Sequence, residues 1–212
     1  MNKSLFAIIL ISISSILFSN EIFLDAKIYD LVSEEICDIK EYGIKIEYLT
    51  KKSNKEELEK YKDIFYDINS IDYDDNLINL EKEENDKLIT LRVVKENNSS
   101  RVFLEIISKT HMDIEEIKKN FDEMDNENRE EIKYYTYIKG DIRENKNDEE
   151  VESSLIDIFS EEGKIKVQKM VLDKGTTGII NLKSDYQFNY SIMTYEEDRV
   201  LILGSPIIFT TY

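Results

Sequence analysis

The chain has 212 residues, 41% hydrophobic and 34% charged, and its 28 Lys and Arg against 45 Asp and Glu give a net charge of −17. That length suits one large or two small packed domains whose core needs no cofactor. The charge excludes nucleic acid as a partner, because phosphate binding draws most of its affinity from a basic footprint.

Residues 1–20, MNKSLFAIILISISSILFSN, differ from all that follows: Lys3 supplies a short positive start, and Leu5 to Phe18 form an apolar run of signal-peptide length. The run is too short and too Ser-rich for an ordinary membrane span. It is read as an export signal, cleaved near Ser19 and Asn20, or as a retained N-terminal anchor. Only the second case ties the protein to a membrane. Export permits disulfides, yet Cys37 is alone in the sequence and the only histidine is His111, so neither a bridge within the chain nor a Cys/His pair is indicated.

Past the leader, the spacing of Ile28, Leu31, Val32, Ile36 and Ile39 predicts a helix over about 26–40, with Cys37 packed beside its stripe. GIKIEYL then alternates as a strand, with Ile44, Ile46 and Tyr48 on one face. Ser53 and Glu56 have the spacing of a capping box and open a second helix striped by Leu58, Tyr61, Phe65 and Ile68. Strand-like runs follow at about 76–82, 87–95 and 101–109, the last two joined by the turn-rich ENNSS. A helix from about Asp113, striped by Ile114, Ile117, Phe121 and Met124, restarts the pattern, and the strand IKYYTYIKG follows at 132–140. Asn147 and Glu150 then cap a helix striped by Val151, Leu155 and Ile158 or Phe159, and four strand candidates (163–172, 177–183, 186–196 and 199–209) complete the chain.

Helix, strand, helix, strands therefore occurs twice, at about 25–110 and 111–212, and residues 21–212 read as a single α+β domain built of two repeats. Helices with one apolar stripe must bury it, and strands joined by short turns pair antiparallel. The expected architecture is a curved antiparallel sheet with helices on one face and the opposite face at least partly open.

Two stretches, GTTGIINLKSDYQFNYSIMTYEE and RVLILGSPIIFTTY, carry a resemblance. With the leader, the length and the duplicated order, the chain resembles the YwmB-like family of exported bacterial proteins, on Gly175, Gly178, Tyr195, Gly204, Pro206 and Ile207. The resemblance implies a fold similar to that of the TATA-box-binding protein and an extracytoplasmic location. It implies no reaction and no catalytic residues. In this frame the apolar end, LILGSPIIFTTY, is the last strand lying over helices, and Pro206, the one proline, blunts it near an edge, since proline cannot donate to a ladder.

The acidic stretches DINSIDYDDN (67–76) and DEMDNENREE (122–131) lack the fixed spacing and central glycine of a calcium loop, and read as solvated loops. No nucleophile elbow, phosphate loop, CxxC or HExxH occurs, so neither a catalytic residue, a cofactor nor a metal site is assigned. The tyrosines carry more information. On YQFNYSIMTY one face reads Tyr186, Phe188, Tyr190 and Ile192, and the other Gln187, Asn189, Ser191, Met193 and Tyr195. This second face is neutral and polar, a composition suited to adaptable hydrogen bonding, and is the expected binding surface. The leading reading is an exported, non-enzymatic domain that binds an extracytoplasmic protein or cell-wall component through its open sheet face. The alternatives are a wall-acting hydrolase using paired carboxylates and an anchored structural domain without a small ligand.

Overall fold

Alternation and helical spacing reappear as fourteen elements in a computed structural model that describes residues 26–66, 70–73, 76–124, 128–144, 146–161, 163–182, 186–196 and 198–209. In chain order they are α1 (Ala26–Glu35), β1 (Cys37–Thr50), α2 (Asn54–Tyr61), β2 (Ser70–Tyr73), β3 (Leu77–Glu84), β4 (Lys87–Glu96) and β5 (Ser99–Ser108). The sequence of types then repeats as α3 (Ile114–Glu123), β6 (Arg129–Ile142), α4 (Asp148–Ser160), β7 (Ile165–Leu172), β8 (Gly175–Leu182), β9 (Gln187–Tyr195) and β10 (Asp198–Ser205). Helix, strand, helix and four strands thus occur twice, and the fold is α+β with antiparallel strand pairing. The leader lies outside the described residues, as does Ile68 of the second expected stripe. Among the described residues no helix is long and apolar enough to cross a membrane.

Two expectations need correction. The first helix ends at Glu35 rather than near residue 40, and Cys37 opens β1 instead of lying on the helix. The reason is a contact between distant residues: β6 lies so close that a Cβ on Gly140 would stand 2.8 Å from both the Asp38 carbonyl and Cys37 Sγ. The second concerns β10, which is not near an edge. It pairs with β6 on one side and β9 on the other, so Pro206 does not guard an edge but stands just past the end of a central strand, after a cis Ser205–Pro206 bond. β2, a short strand the sequence reading omitted, pairs with β3.

The chain divides into two compact units that do not coincide with the two repeats. The middle unit, Tyr42–Tyr134, holds most of β1, then α2, β2 to β5, α3 and the start of β6. Its strands run in the order β2-β3-β4-β5-β1. Ile44, Ile46 and Tyr48 of β1 are fully buried, beside Val102 and Leu104 of β5, Leu91 and Val93 of β4, and Ile78 and Leu80 of β3. This is the helix-covered face: Tyr48 meets Tyr61 of α2 and Phe121 of α3.

The terminal unit holds α1, the start of β1, the rest of β6, α4 and β7 to β10. Its strands run β6-β10-β9-β8-β7. Val151, Leu155, Ile158 and Phe159 are the buried face of α4, with the Phe159 and Phe188 ring centroids 4.5 Å apart. α1 packs beside α4 with Ile28, Tyr29 and Val32 buried. Burial raises the Cys37 thiol to about 12, which leaves it protonated and inert.

Candidate functional site

The alternation along β9 sorts its side chains as expected. Phe188 and Tyr190 face α4, where the Tyr190 hydroxyl donates to Glu152. Gln187, Asn189 and Ser191 point the other way, but they are not open to solvent. All three are buried, and Met193 and Tyr195 are half-buried. The cover is the tail beyond β10. Asn189 Nδ2 donates to the Pro206 carbonyl, Ser205 Oγ donates to the Gln187 carbonyl at 3.3 Å, and Ile208 and Phe209 pack with Tyr195 on Tyr137, Val200 and Ile202. Gly204 gives the tail room to cross, because a Cβ there would meet Ile208 and the Ile207 carbonyl at 3.0 to 3.2 Å. The physical reason for the correction is that alternation tells which residues share a face, not what covers it.

The middle unit does present a face away from its helices. In register across the sheet, Asn79, Arg92, Phe103 and Glu47 form one row; Glu81, Thr90, Glu105 and Lys45 form the next; Leu77, Val94, Arg101 and Leu49 form a third. Each of these is half-buried or exposed. Phe103 sits at the centre with Lys45 Nζ 5.0 Å from its ring centroid. Arg101 bonds Glu47 at 2.7 Å and Glu96 at 2.8 Å, which holds the Glu96 carboxyl below the usual glutamate range. Partial burial lifts the Glu105 carboxyl above that range, against the pull of Lys45 and Arg92. The opposite phase of the alternation that marks Ile44, Ile46 and Tyr48 as core is the signal that could have found this face.

Beneath α2 lies a polar cluster that the sequence reading also missed. Glu57 is fully buried and accepts from the Tyr48 hydroxyl at 2.7 Å, from Thr50 Oγ1 at 2.9 Å and from Lys60 Nζ at 2.9 Å. Tyr48 and Tyr61 share a hydrogen bond of 2.9 Å. The buried Arg129 guanidinium lies 4.0 Å from the Phe121 ring centroid and 5.2 Å from that of Tyr48, and donates to the Phe121 carbonyl. Burial drives the Tyr48 hydroxyl far above the ordinary phenol range, helped by Tyr61 and Glu57. Tyr61 is pushed up to about 12, also by burial. Glu57 stands four residues before Tyr61, and that spacing puts both on the core face of α2. With its oxygens held by three donors and no solvent access, this carboxylate is built for packing rather than for acid or base work on a substrate.

At the open end of α2, Lys51, Lys52, Lys55 and Lys95 line a solvent-open hollow with Ser53 and Asn97, but Lys51 is tied to Glu130 at 2.8 Å and the helix end is closed by its own Ser53–Glu56 capping box. Of the acidic stretches, residues 67–69, 74–75 and 125–127 lie outside the described residues; elsewhere Asp122 accepts from the Tyr134 hydroxyl. Among the described residues no group of three or more His, Cys, Asp or Glu gathers to hold a metal.

Comparison of the chain with protein-family profiles and with curated proteins gives no match.

Proposed function

We propose that the chain is an exported, non-enzymatic binding domain that engages a protein surface through the open sheet face of its middle unit. The observation that carries this reading is the mixed make-up of that face. Lys45, Arg92 and Arg101 are interleaved with Glu47, Glu81, Glu83, Glu96 and Glu105, around Phe103 and the half-buried Leu49, Leu77, Leu88, Val94 and Ile107. An aromatic centre with interleaved arginines and carboxylates suits a protein partner, since aromatic residues and Arg are enriched where proteins meet. A polyanionic wall polymer would find no net positive field there. The duplicated α+β order supports the YwmB-like kinship and a fold similar to that of the TATA-box-binding protein, and the leader supports an extracytoplasmic setting.

The test places a photo-crosslinking residue at Thr90, on the same face, in the native envelope, both in the otherwise unaltered chain and in one carrying Arg92→Glu and Phe103→Ala. The proposal expects one dominant protein adduct, lost in the double variant while its thermal midpoint changes little. Adducts with glycan alone, or release of product from purified wall fragments, would replace it with a wall-component binder or the hydrolase reading.

A further inference from the structure

The terminal unit carries a second feature suited to recognition, independent of the open face of the middle unit. β7 closes one side of its strand order and pairs only with β8, from Ile165↔Leu182 to Leu172↔Gly175. Its outer backbone groups therefore lack a ladder partner among the described residues, the condition under which an edge recruits another strand. The large apolar side chains classed as exposed among the described residues are Tyr66, Met170 and Val171, and the last two are consecutive on this edge, with Val171 73% exposed.

The local charge is reversed relative to the whole. Residues 164–174, KIKVQKMVLDK, hold four lysines and one aspartate in a chain of net charge −17. Lys169 turns toward α4, where it pairs with Glu152. Lys164, Lys166 and Lys174 make no ion pair among the described residues. With Lys169 on the α4 side, alternation puts Ile165, Val167 and Val171 there too, and sends Lys166, Gln168 and Met170 to the other face.

We propose that β7 receives an extended acidic peptide segment as an added antiparallel strand. Alternating apolar side chains of that segment extend the α4-side layer beyond Ile165, Val167 and Val171, and its carboxylates on the opposite face meet Lys166 and its lysine neighbours. Main-chain hydrogen bonds give such additions their affinity and alternate side chains their selectivity. A second copy of the chain is the poorer occupant, because it brings the same lysines to the edge on another body of net charge −17.

The test titrates the full chain with a labelled peptide of alternating valine and glutamate, with the same peptide N-methylated on its edge-facing amides, and with its valine–lysine counterpart. Saturable binding of the first peptide only, with slowed amide exchange at residues 165–172, is expected. Lys166→Glu should weaken it about tenfold or more, since like charges then face each other. Equal binding of the N-methylated peptide, protection that falls elsewhere, no binding, or self-association of the chain through this edge would each overturn the proposal. The exchange measurement uses the unaltered chain, so it does not depend on the variant folding.

Discussion

The two units begin from the same local design and make opposite choices around it. α2 is capped by Ser53 with Glu56, and α4 by Asn147 with Glu150, each pair exchanging hydrogen bonds in a complete capping box. Beyond the first turn they part. α2 turns Glu57 and Tyr61 inward onto Tyr48 and Thr50, whereas α4 turns Val151, Leu155, Ile158 and Phe159 inward onto an apolar layer. The far faces differ as well: the middle unit leaves its second sheet face open, while the tail from Pro206 to Phe209 covers part of the other unit's. A helix start is a local event that four residues can specify. What its inner face must satisfy is decided by distant strands, and the same start can lead to a carboxylate held by hydroxyls or to a run of aliphatic side chains.

The strongest challenge to this contrast is removal of residues 199–212. Deleting them takes nearly all of β10, and with it Val200, Leu201, Ile202 and Leu203, all buried, from between β6 and β9. At about 1.5 to 3 kcal/mol for each fully buried side chain, the loss rivals the 5 to 15 kcal/mol stability typical of a whole protein. The terminal unit should lose its slow-exchanging amides. An unchanged thermal midpoint would show β10 to be an appendage.

Next in size is Glu57→Ala, which leaves two hydroxyls and the Lys60 ammonium facing an empty site. Breaking a buried pair by deleting one partner costs about 3 to 5 kcal/mol. Denaturant unfolding should show a loss of that order, and Glu57→Gln, which keeps one acceptor, should lose less. If the alanine variant is as stable as the parent, the polar underside of α2 contributes nothing that an apolar one would not.

The shared element of the design is tested by Ser53→Ala and Asn147→Ala. Each removes a side chain that accepts from the third helical backbone N–H, at a typical cost of about 1 kcal/mol. The two costs should match, because the caps are local. A large difference between them would mean that tertiary context reaches even the first turn.

The smallest effect under ordinary conditions is an alkaline pH dependence, to which the middle unit contributes through Tyr61 and Tyr48. The folded-state value of Tyr61 is raised from 10.0 to about 12, and that of Tyr48 is raised further. A raised value means that the folded state holds the proton more tightly, so the stabilisation is complete below 10.0 and is lost as pH climbs through about 12. Tyrosinate absorbance should rise together with loss of middle-unit structure in that window. Early, independent ionisation of all the tyrosines would contradict the buried Glu57–Tyr48–Tyr61 cluster.

Much of this was legible in the residues. Ser53 with Glu56 and Asn147 with Glu150 mark the two helices that open on a complete capping box, the period-two runs mark nine of the ten strands, and their repeated order gives the α+β duplication, because caps, turns and alternation depend only on near neighbours. The sequence also separates Phe188 and Tyr190 from Gln187, Asn189 and Ser191. Tertiary structure decided the rest. It ended α1 at Glu35 by drawing Cys37 against Gly140, and it grouped the first helix of each repeat with strands of the other. It also folded Pro206 to Phe209 over the polar side of β9 and left the Phe103 face open. Each of these outcomes depends on which distant segment supplies the covering atoms. Periodicity along a chain records that a face must be covered or can stay wet, and carries no address for the segment that does the covering.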